Sequence, residues 1–227
     1  SEMCIRDRLY LLFEELESGR MTMRTKMPVS RVAASRSPSK LYLKPGQTIT
    51  VKDAIYALIT KSANDVATVV GEALSGTERE FGKRMTRKAR ALGMSATTFR
   101  NASGLPHSKQ RTTARDMARL AIAMRRDFPQ YFGFFSTKSF RWRGKRFGNH
   151  NKLLSNYTGT DGIKTGYIDA SGFNLVATVE RNGVRLIGVV FGGRTGKTRD
   201  AHMVKILDKS FKSCLLYTSD AADDRMR

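Results

Sequence analysis

Of its 227 residues the chain has only two cysteines, three histidines and five prolines. Cys4 and Cys214 sit near the two ends, so the body of the chain has no disulfide framework and no cysteine-based metal site, and cysteine usage says nothing about compartment. His107, His150 and His202 fall into no ligand spacing with carboxylates, and they read as surface or packing residues. No metal or organic cofactor is therefore expected. No stretch reads as a signal peptide or membrane anchor, which says nothing of residues upstream. Internal repeats and low-complexity segments are missing as well. Acidic residues are few, 20 against 41 Lys and Arg, for a net charge of +21. Such a field attracts polyanions such as nucleic acid, anionic lipid or an anionic envelope polymer. The charges are spread over Lys83 to Arg90, Arg111 to Arg126 and Lys138 to Arg146, the pattern of solvated helix faces. No RNA-binding or helix-turn-helix signature accompanies them, so no nucleic-acid partner is expected. A basic polyanion-binding module without chemistry is kept as the non-enzyme alternative.

The two ends are related to each other. Glu2 to Asp7 can be encoded by a string whose reverse complement, in a shifted frame, encodes Leu215 to Ser219. Library adaptors leave that relation on both sides of an insert, so residues 1–8 and 214–227 are expected to be adaptor-derived tails. The intervening segment, 9–213, is expected to be a partial domain. It contains no cysteine and carries about +22, because the tails together contribute about −1. Two hundred residues suffice for one domain with a real core.

Leu9 to Phe13 followed by Glu14 to Gly19 predicts a largely buried helix ended by a glycine. Ser35 to Pro45 is polar and reads as loop or short strand, and Thr50-Val51-Lys52-Asp53 as a capped helix start. Helical spacing recurs over Asp65 to Leu74, Glu78 to Leu92 and Thr113 to Arg125. After Pro129 the pattern changes. Ser139 to Arg143 alternates around a turn at Gly144, and Phe173 to Glu180 and Val184 to Phe191 are strand-like runs joined by Arg181-Asn182-Gly183. Arg199 to Lys212 puts Met203, Ile206, Leu207 and Phe211 on one face of a closing helix. The expected class is α+β, an antiparallel sheet covered by helices with a mainly helical middle section. Trp142, Phe132, Phe134, Phe135 and Phe140 are expected in the core.

Two tripeptides carry chemistry. Ser62-Ala63-Asn64 follows an apolar helical run, and Lys164-Thr165-Gly166 lies about a hundred residues later in a strand-like context. Acyl transfer needs a nucleophile, a base, a proton relay and donors aimed at the developing oxyanion. Lys164 offers a fixed positive charge able to depress a neighbouring lysine's pKa and attract a substrate carboxylate. Thr165 adds a hydroxyl, and Gly166 leaves room for a substrate backbone to lie along the strand. From the opposite side Ser62 and Asn64 can relay a proton and hold a substrate amide. The catalytic residues expected are thus Ser62, Asn64 and Lys164, with Thr165 and Gly166 binding substrate.

These tripeptides, with Asn101 to Leu105, Thr113 to Ala118, His150-Asn151, Asp161 to Tyr167, Ser171 to Val176 and Phe191 to Arg194, resemble the serine-type D-alanyl-D-alanine carboxypeptidases. Those are low-molecular-mass penicillin-binding proteins with the β-lactamase/transpeptidase-like fold, and the resemblance covers Leu9 to Lys212. It implies an exported envelope or periplasmic enzyme that trims peptidoglycan stem peptides ending in D-Ala-D-Ala and is inhibited by β-lactams, with room for peripheral membrane association. It also implies that the backbone N–H of Tyr167 helps hold the oxyanion and that Arg199 helps bind the peptide's terminal carboxylate. His150 stands where some relatives have arginine. The family's nucleophile and base lie in Ser-x-x-Lys at the head of the helix that continues here as Leu9 to Ser18. That segment is replaced in this chain, which is therefore expected to be inactive.

The one Ser-x-x-Lys present, Ser37-Pro38-Ser39-Lys40, precedes Pro45 and an alternating Leu41 and Leu43, and it reads as a loop with no room for a buried helix. Gly192 to Thr198 follows a strand and precedes a helix as a phosphate-binding loop does, but Phe191 stands where the first glycine is needed. A class A β-lactamase shares the two tripeptides, yet the Glu-x-x-Leu-Asn segment that serves its deacylation does not occur between Asn64 and Lys164. Endopeptidase or transpeptidase action on the same D-Ala bonds is compatible with these motifs.

Overall fold

A computed structural model of the chain describes residues 5–223. Of the tails expected at 1–8 and 214–227, residues 1–4 and 224–227 lie outside the described residues. The backbone of the remainder continues the two adjoining helices.

Helix α1 (Ile5–Glu17) is buried on every side from Leu9 to Phe13, as a helix apolar all round must be. It ends at Gly19, which takes the left-handed φ of +72°. A short ribbon of β1 (Lys26–Pro28) and β2 (Thr48–Thr50) brackets the one-turn α2 (Arg31–Ala34). Three helices then pack around α1: α3 (Val51–Thr60), α4 (Asn64–Ser75) and α5 (Glu78–Ala91), followed by α6 (Ala114–Asp127). Helices α3, α5 and α6 start the same way. Thr50, Thr77 and Thr113 accept a hydrogen bond from the backbone N–H three residues on, at Asp53, Glu80 and Asp116.

The one-turn α7 (Pro129–Phe132) and a 3-10 turn over Gly133–Ser136 put Phe132 and Phe135 into the core. Phe140 is buried beside them, and Trp142 is half-buried against it. Next come the hairpin β3 (Ser139–Trp142) and β4 (Lys145–Gly148) and the one-turn α8 (Leu153–Asn156). The main antiparallel sheet has the order β5 (Thr160–Ile168), β6 (Gly172–Arg181), β7 (Val184–Gly193). The turn between β6 and β7 has positive φ at both Asn182 and Gly183, the hairpin chemistry expected from Arg181-Asn182-Gly183. Helix α9 (Gly196–Asp223) closes the fold and runs well past Lys212.

Alternation along β6 divides the interior. Val176 joins the large core under the helices, while Leu175, Ala177 and Val179 meet Met203, Leu207 and Phe211 of α9. The class is α+β. Of the loop or short strand expected over Ser35 to Pro45 the structure has the loop: Leu41 and Leu43 belong to no strand, and their N–H groups donate to the buried carboxylate of Asp65, at 3.1 Å each, which also accepts from Val66 N–H.

Helix α9 lies very close on the end of β7. A Cβ added to Gly193 would sit 2.7 Å from Arg199 Cβ and 3.1 Å from the Phe173 carbonyl oxygen. Gly193→Ala is expected to lose about 1–3 kcal/mol in urea unfolding by prising α9 off the sheet. An unchanged midpoint would contradict this close seating.

Candidate active site

The first wall is the reversal between α3 and α4. Ser62 takes a left-handed φ of +56°, costly for a residue with a Cβ, and its side chain is buried with no hydrogen-bond partner for Oγ among the described residues. Asn64, the first residue of α4, donates from its backbone to the Ser39 carbonyl at 2.7 Å and from Nδ2 to the Ser37 carbonyl at 3.0 Å. Its amide therefore holds the Ser37–Lys40 loop. In that loop Ser39 Oγ donates to the Lys61 carbonyl and Lys40 Nζ to the Ala34 carbonyl, so the two side chains serve different partners.

The second wall is β5, an edge strand whose only strand partner among the described residues is β6. Register places Lys164 opposite Val176 and Thr165 opposite Leu175, so successive side chains point to the two faces of the sheet. Lys164 faces the helical core and has no solvent exposure; its Nζ donates to the Thr165 carbonyl at 3.1 Å and lies 3.5 Å from Thr165 Oγ1. Tyr167 is exposed, its ring packed on Phe173 and its hydroxyl donating to Asp169. Arg199, in the first turns of α9, is buried. It donates to the Asn174 carbonyl at 3.2 Å and to the Asp200 carboxylate.

A cleft of about 550 Å³ collects Thr165, Gly166, Tyr167 and Arg199 with His150 and Lys152. The three residues expected to be catalytic, Ser62, Asn64 and Lys164, do not line it. His150 lies at its rim, open to water on one side but set over the protein. Desolvation first, then the positive charges of Lys164, Lys61, Lys152 and Arg199, push its pKa down to about 4. At neutral pH His150 is uncharged, so the positive charge around it comes from Lys61, Lys152, Lys164 and Arg199.

Sequence reasoning gave no role to Asn174, which organises the cleft's far end. It is buried, its Nδ2 donates to Ser171 Oγ and the Gly172 carbonyl, its Oδ1 accepts from Gly192 N–H, and its carbonyl holds Arg199. The available signal was a polar residue inside the apolar run Phe173 to Val176. Beyond it a smaller cavity of about 270 Å³ opens between Phe99, Arg111, Ser171 and Phe191.

The architecture is that of the penicillin-binding proteins. It superposes on penicillin-binding protein 5 of Haemophilus influenzae with a TM-score of 0.89 at 28% identity, over 93% of this chain and 63% of that one. The carboxypeptidase DacD of Francisella tularensis gives 0.89 at 27% identity, over 92% and 63%. The family model for D-alanyl-D-alanine carboxypeptidases matches residues 8–195, and the chain belongs to that family. It is 35% identical over 207 residues to the carboxypeptidase DacF of Bacillus subtilis, covering 89% of this chain and 53% of the relative. To DacA of Escherichia coli it is 36% identical over 178 residues, covering 78% and 44%. The chain thus spans about half the length of these relatives.

The low pKa of His150 has a signed consequence. An unfolded chain takes up this proton near the ordinary value of 6.5 and the native chain only near 4, so stability from this group is present above 6.5 and is lost as pH falls towards 4. Titration of the His150 ring by NMR is expected to show a midpoint near 4; a midpoint at 6 or above would contradict the cationic surroundings.

Proposed function

We propose that the protein to which this chain belongs is a serine-type D-alanyl-D-alanine carboxypeptidase. It would remove the terminal D-alanine from peptidoglycan stem peptides through an acyl-enzyme that water hydrolyses. The observation that carries this reading is the meeting of Thr165 and Gly166, on an open sheet edge, with the buried guanidinium of Arg199 at one cleft, while Lys164 lies on the other face of the same strand. A peptide laid along β5 gains main-chain hydrogen bonds, and its terminal carboxylate meets Thr165 and Arg199 with the charge of Lys164 behind. The N–H of Tyr167 would then face the scissile carbonyl oxygen. Ser62 and Asn64 serve relay and positioning from the helical side, which their burial, the strain at Ser62 and its idle hydroxyl support.

β-Lactams fit the same site as inhibitors. Penicillin-binding protein D2 of Listeria monocytogenes, 29% identical with a TM-score of 0.83, has been solved in a cefotaxime-bound form. The expected location is the periplasm or cell envelope; among the described residues no helix is long and apolar enough to cross a membrane.

The chain as it stands is proposed to be inactive. Asp7 and Arg8 are buried near the start of α1, where the family's Ser-x-x-Lys is expected, and residues 1–8 contain no lysine. The Ser37–Lys40 segment is a loop in which Ser39 Oγ bonds to the Lys61 carbonyl, Lys40 Nζ to the Ala34 carbonyl and the Ser37 carbonyl to Asn64.

Intact-mass spectrometry after incubation with benzylpenicillin is expected to show no covalent adduct on this chain. An adduct at Ser37 or Ser39 would overturn the reading of that loop. In the full-length protein, Arg199→Ala is expected to lower kcat/KM for a D-Ala-D-Ala peptide by about 10- to 100-fold, mostly through KM, with Arg199→Lys between. Unchanged kinetics would remove Arg199 from the carboxylate site.

A further inference from the structure

Between Asp127 and Asp161 the chain has no acidic residue, and within this stretch Lys138, Arg141, Arg143, Lys145 and Arg146 fall on or beside a single hairpin. None of the five forms an ion pair among the described residues. Some cations elsewhere do, such as Arg20 and Arg84 with Glu15, Arg36 with Glu78, Arg126 with Asp127, and Arg185 with Asp161 and Glu180. Strand register sets Arg141 directly opposite Arg146, a like-charge pairing that destabilises an antiparallel ribbon.

The hairpin's two faces differ. Phe140, Trp142 and Phe147 share one face, where Phe140 stacks on Tyr56 and on Trp142. Arg141 and Arg146 share the other, exposed face, and Arg143 at the turn lies over the Trp142 ring. The hairpin leads into the cleft through its aromatic face and the end of β4. Lys61, next to Ser62, sits over Phe147 at 5.8 Å, and Asn149 ties the end of β4 to the Thr137 and Lys138 carbonyls, delivering His150 to the rim. Positive charge thus runs from the hairpin turn to Lys152 and Arg199.

We propose that the hairpin β3–β4 is a docking site for a linear phosphodiester polyanion of the cell envelope, a polyol-phosphate chain that holds the enzyme with its cleft beside the wall. Guanidinium forks match phosphate oxygens in pairs, and a ligand of regularly spaced negative charge relieves the Arg141–Arg146 repulsion. Single-stranded nucleic acid is disfavoured because the charged face offers no free aromatic platform, Trp142 being half-buried and covered by Arg143. The choice of an envelope polymer over duplex DNA rests on the carboxypeptidase reading.

The test titrates the full chain with a defined glycerol-phosphate oligomer, and with duplex and single-stranded DNA of equal phosphate number, at several salt concentrations. Removing Arg141, Arg143, Lys145 and Arg146 together as alanines is expected to weaken oligomer binding at least about tenfold and to cut the salt slope by about three to four. A control variant replacing Lys26, Lys44, Lys52 and Arg87, exposed cations elsewhere, loses the same charge and is expected to change Kd less than about threefold. The charge-keeping triple variant Arg141→Lys, Arg143→Lys, Arg146→Lys is expected to retain most of the salt slope, which guards against misfolding. Equal losses in the hairpin and control variants would overturn the site in favour of diffuse charge. Tighter binding of either DNA than of the glycerol-phosphate oligomer would overturn the choice of partner. The readout is binding rather than turnover, so failure here leaves the carboxypeptidase reading standing, and failure of that reading leaves the measured affinity intact.

Discussion

A lysine side chain with no exposure to water, on the edge strand of a small sheet, is the constraint around which this structure is arranged. Burying an ammonium costs several kcal/mol unless its donors are met and the surroundings are fixed. Lys164 meets that demand locally through the Thr165 carbonyl, and the strand that carries it is fixed by its register with β6. Because Thr165 must face the opposite way, the same strand presents a hydroxyl to the α9 side. One tripeptide thereby serves both layers of the protein.

The second support is the seam between the sheet and α9. Gly193 leaves no space for a side chain at Arg199, and Asn174 holds that arginine through its carbonyl while its own side chain fastens Ser171, Gly172 and Gly192. Arg199 reaches the cleft because small and polar residues on β6 and β7 let the helix approach, as pre-organised binding of a planar carboxylate requires. Across the fold, Ser62 is held in a strained turn whose neighbours Asn64 and Asp65 are committed to the chain around Ser37 to Leu43. The helical wall is tied to this loop while the sheet wall is tied to α9.

Much of this was legible in the sequence. Lys164 to Gly166 announced a strand, Asn182-Gly183 a hairpin turn, Thr50 and Thr113 helix starts, and the Met203, Leu207, Phe211 face a closing helix. These features are local, set by periodicity, capping and turn conformation. What escaped depends on partners distant in sequence. Leu41 and Leu43 alternate like a strand, yet their N–H groups are taken by a carboxylate more than twenty residues away. The loss of positive charge on His150 comes first from desolvation and then from cations spread from Lys61 to Arg199, which no local pattern collects. Asn174 was visible only as a polar interruption, since its bonding partners come from the β5–β6 turn, the end of β7 and α9.

Charge then connects structure to function. A chain with twice as many cations as anions neutralises many of its arginines in pairs, Arg199 at the cleft among them, and among the described residues leaves those of one hairpin without an ion pair. In the proposed function the neutral His150 leaves carboxylate recognition to Lys164 and Arg199, and that division of labour can be measured without turnover. Calorimetry with an acylated D-Ala-D-Ala peptide and its C-terminal amide is the most direct test. The free acid should bind at least about tenfold more tightly than the amide, a difference of about 1.4 kcal/mol or more. Equal affinities would contradict a carboxylate site built on these two cations.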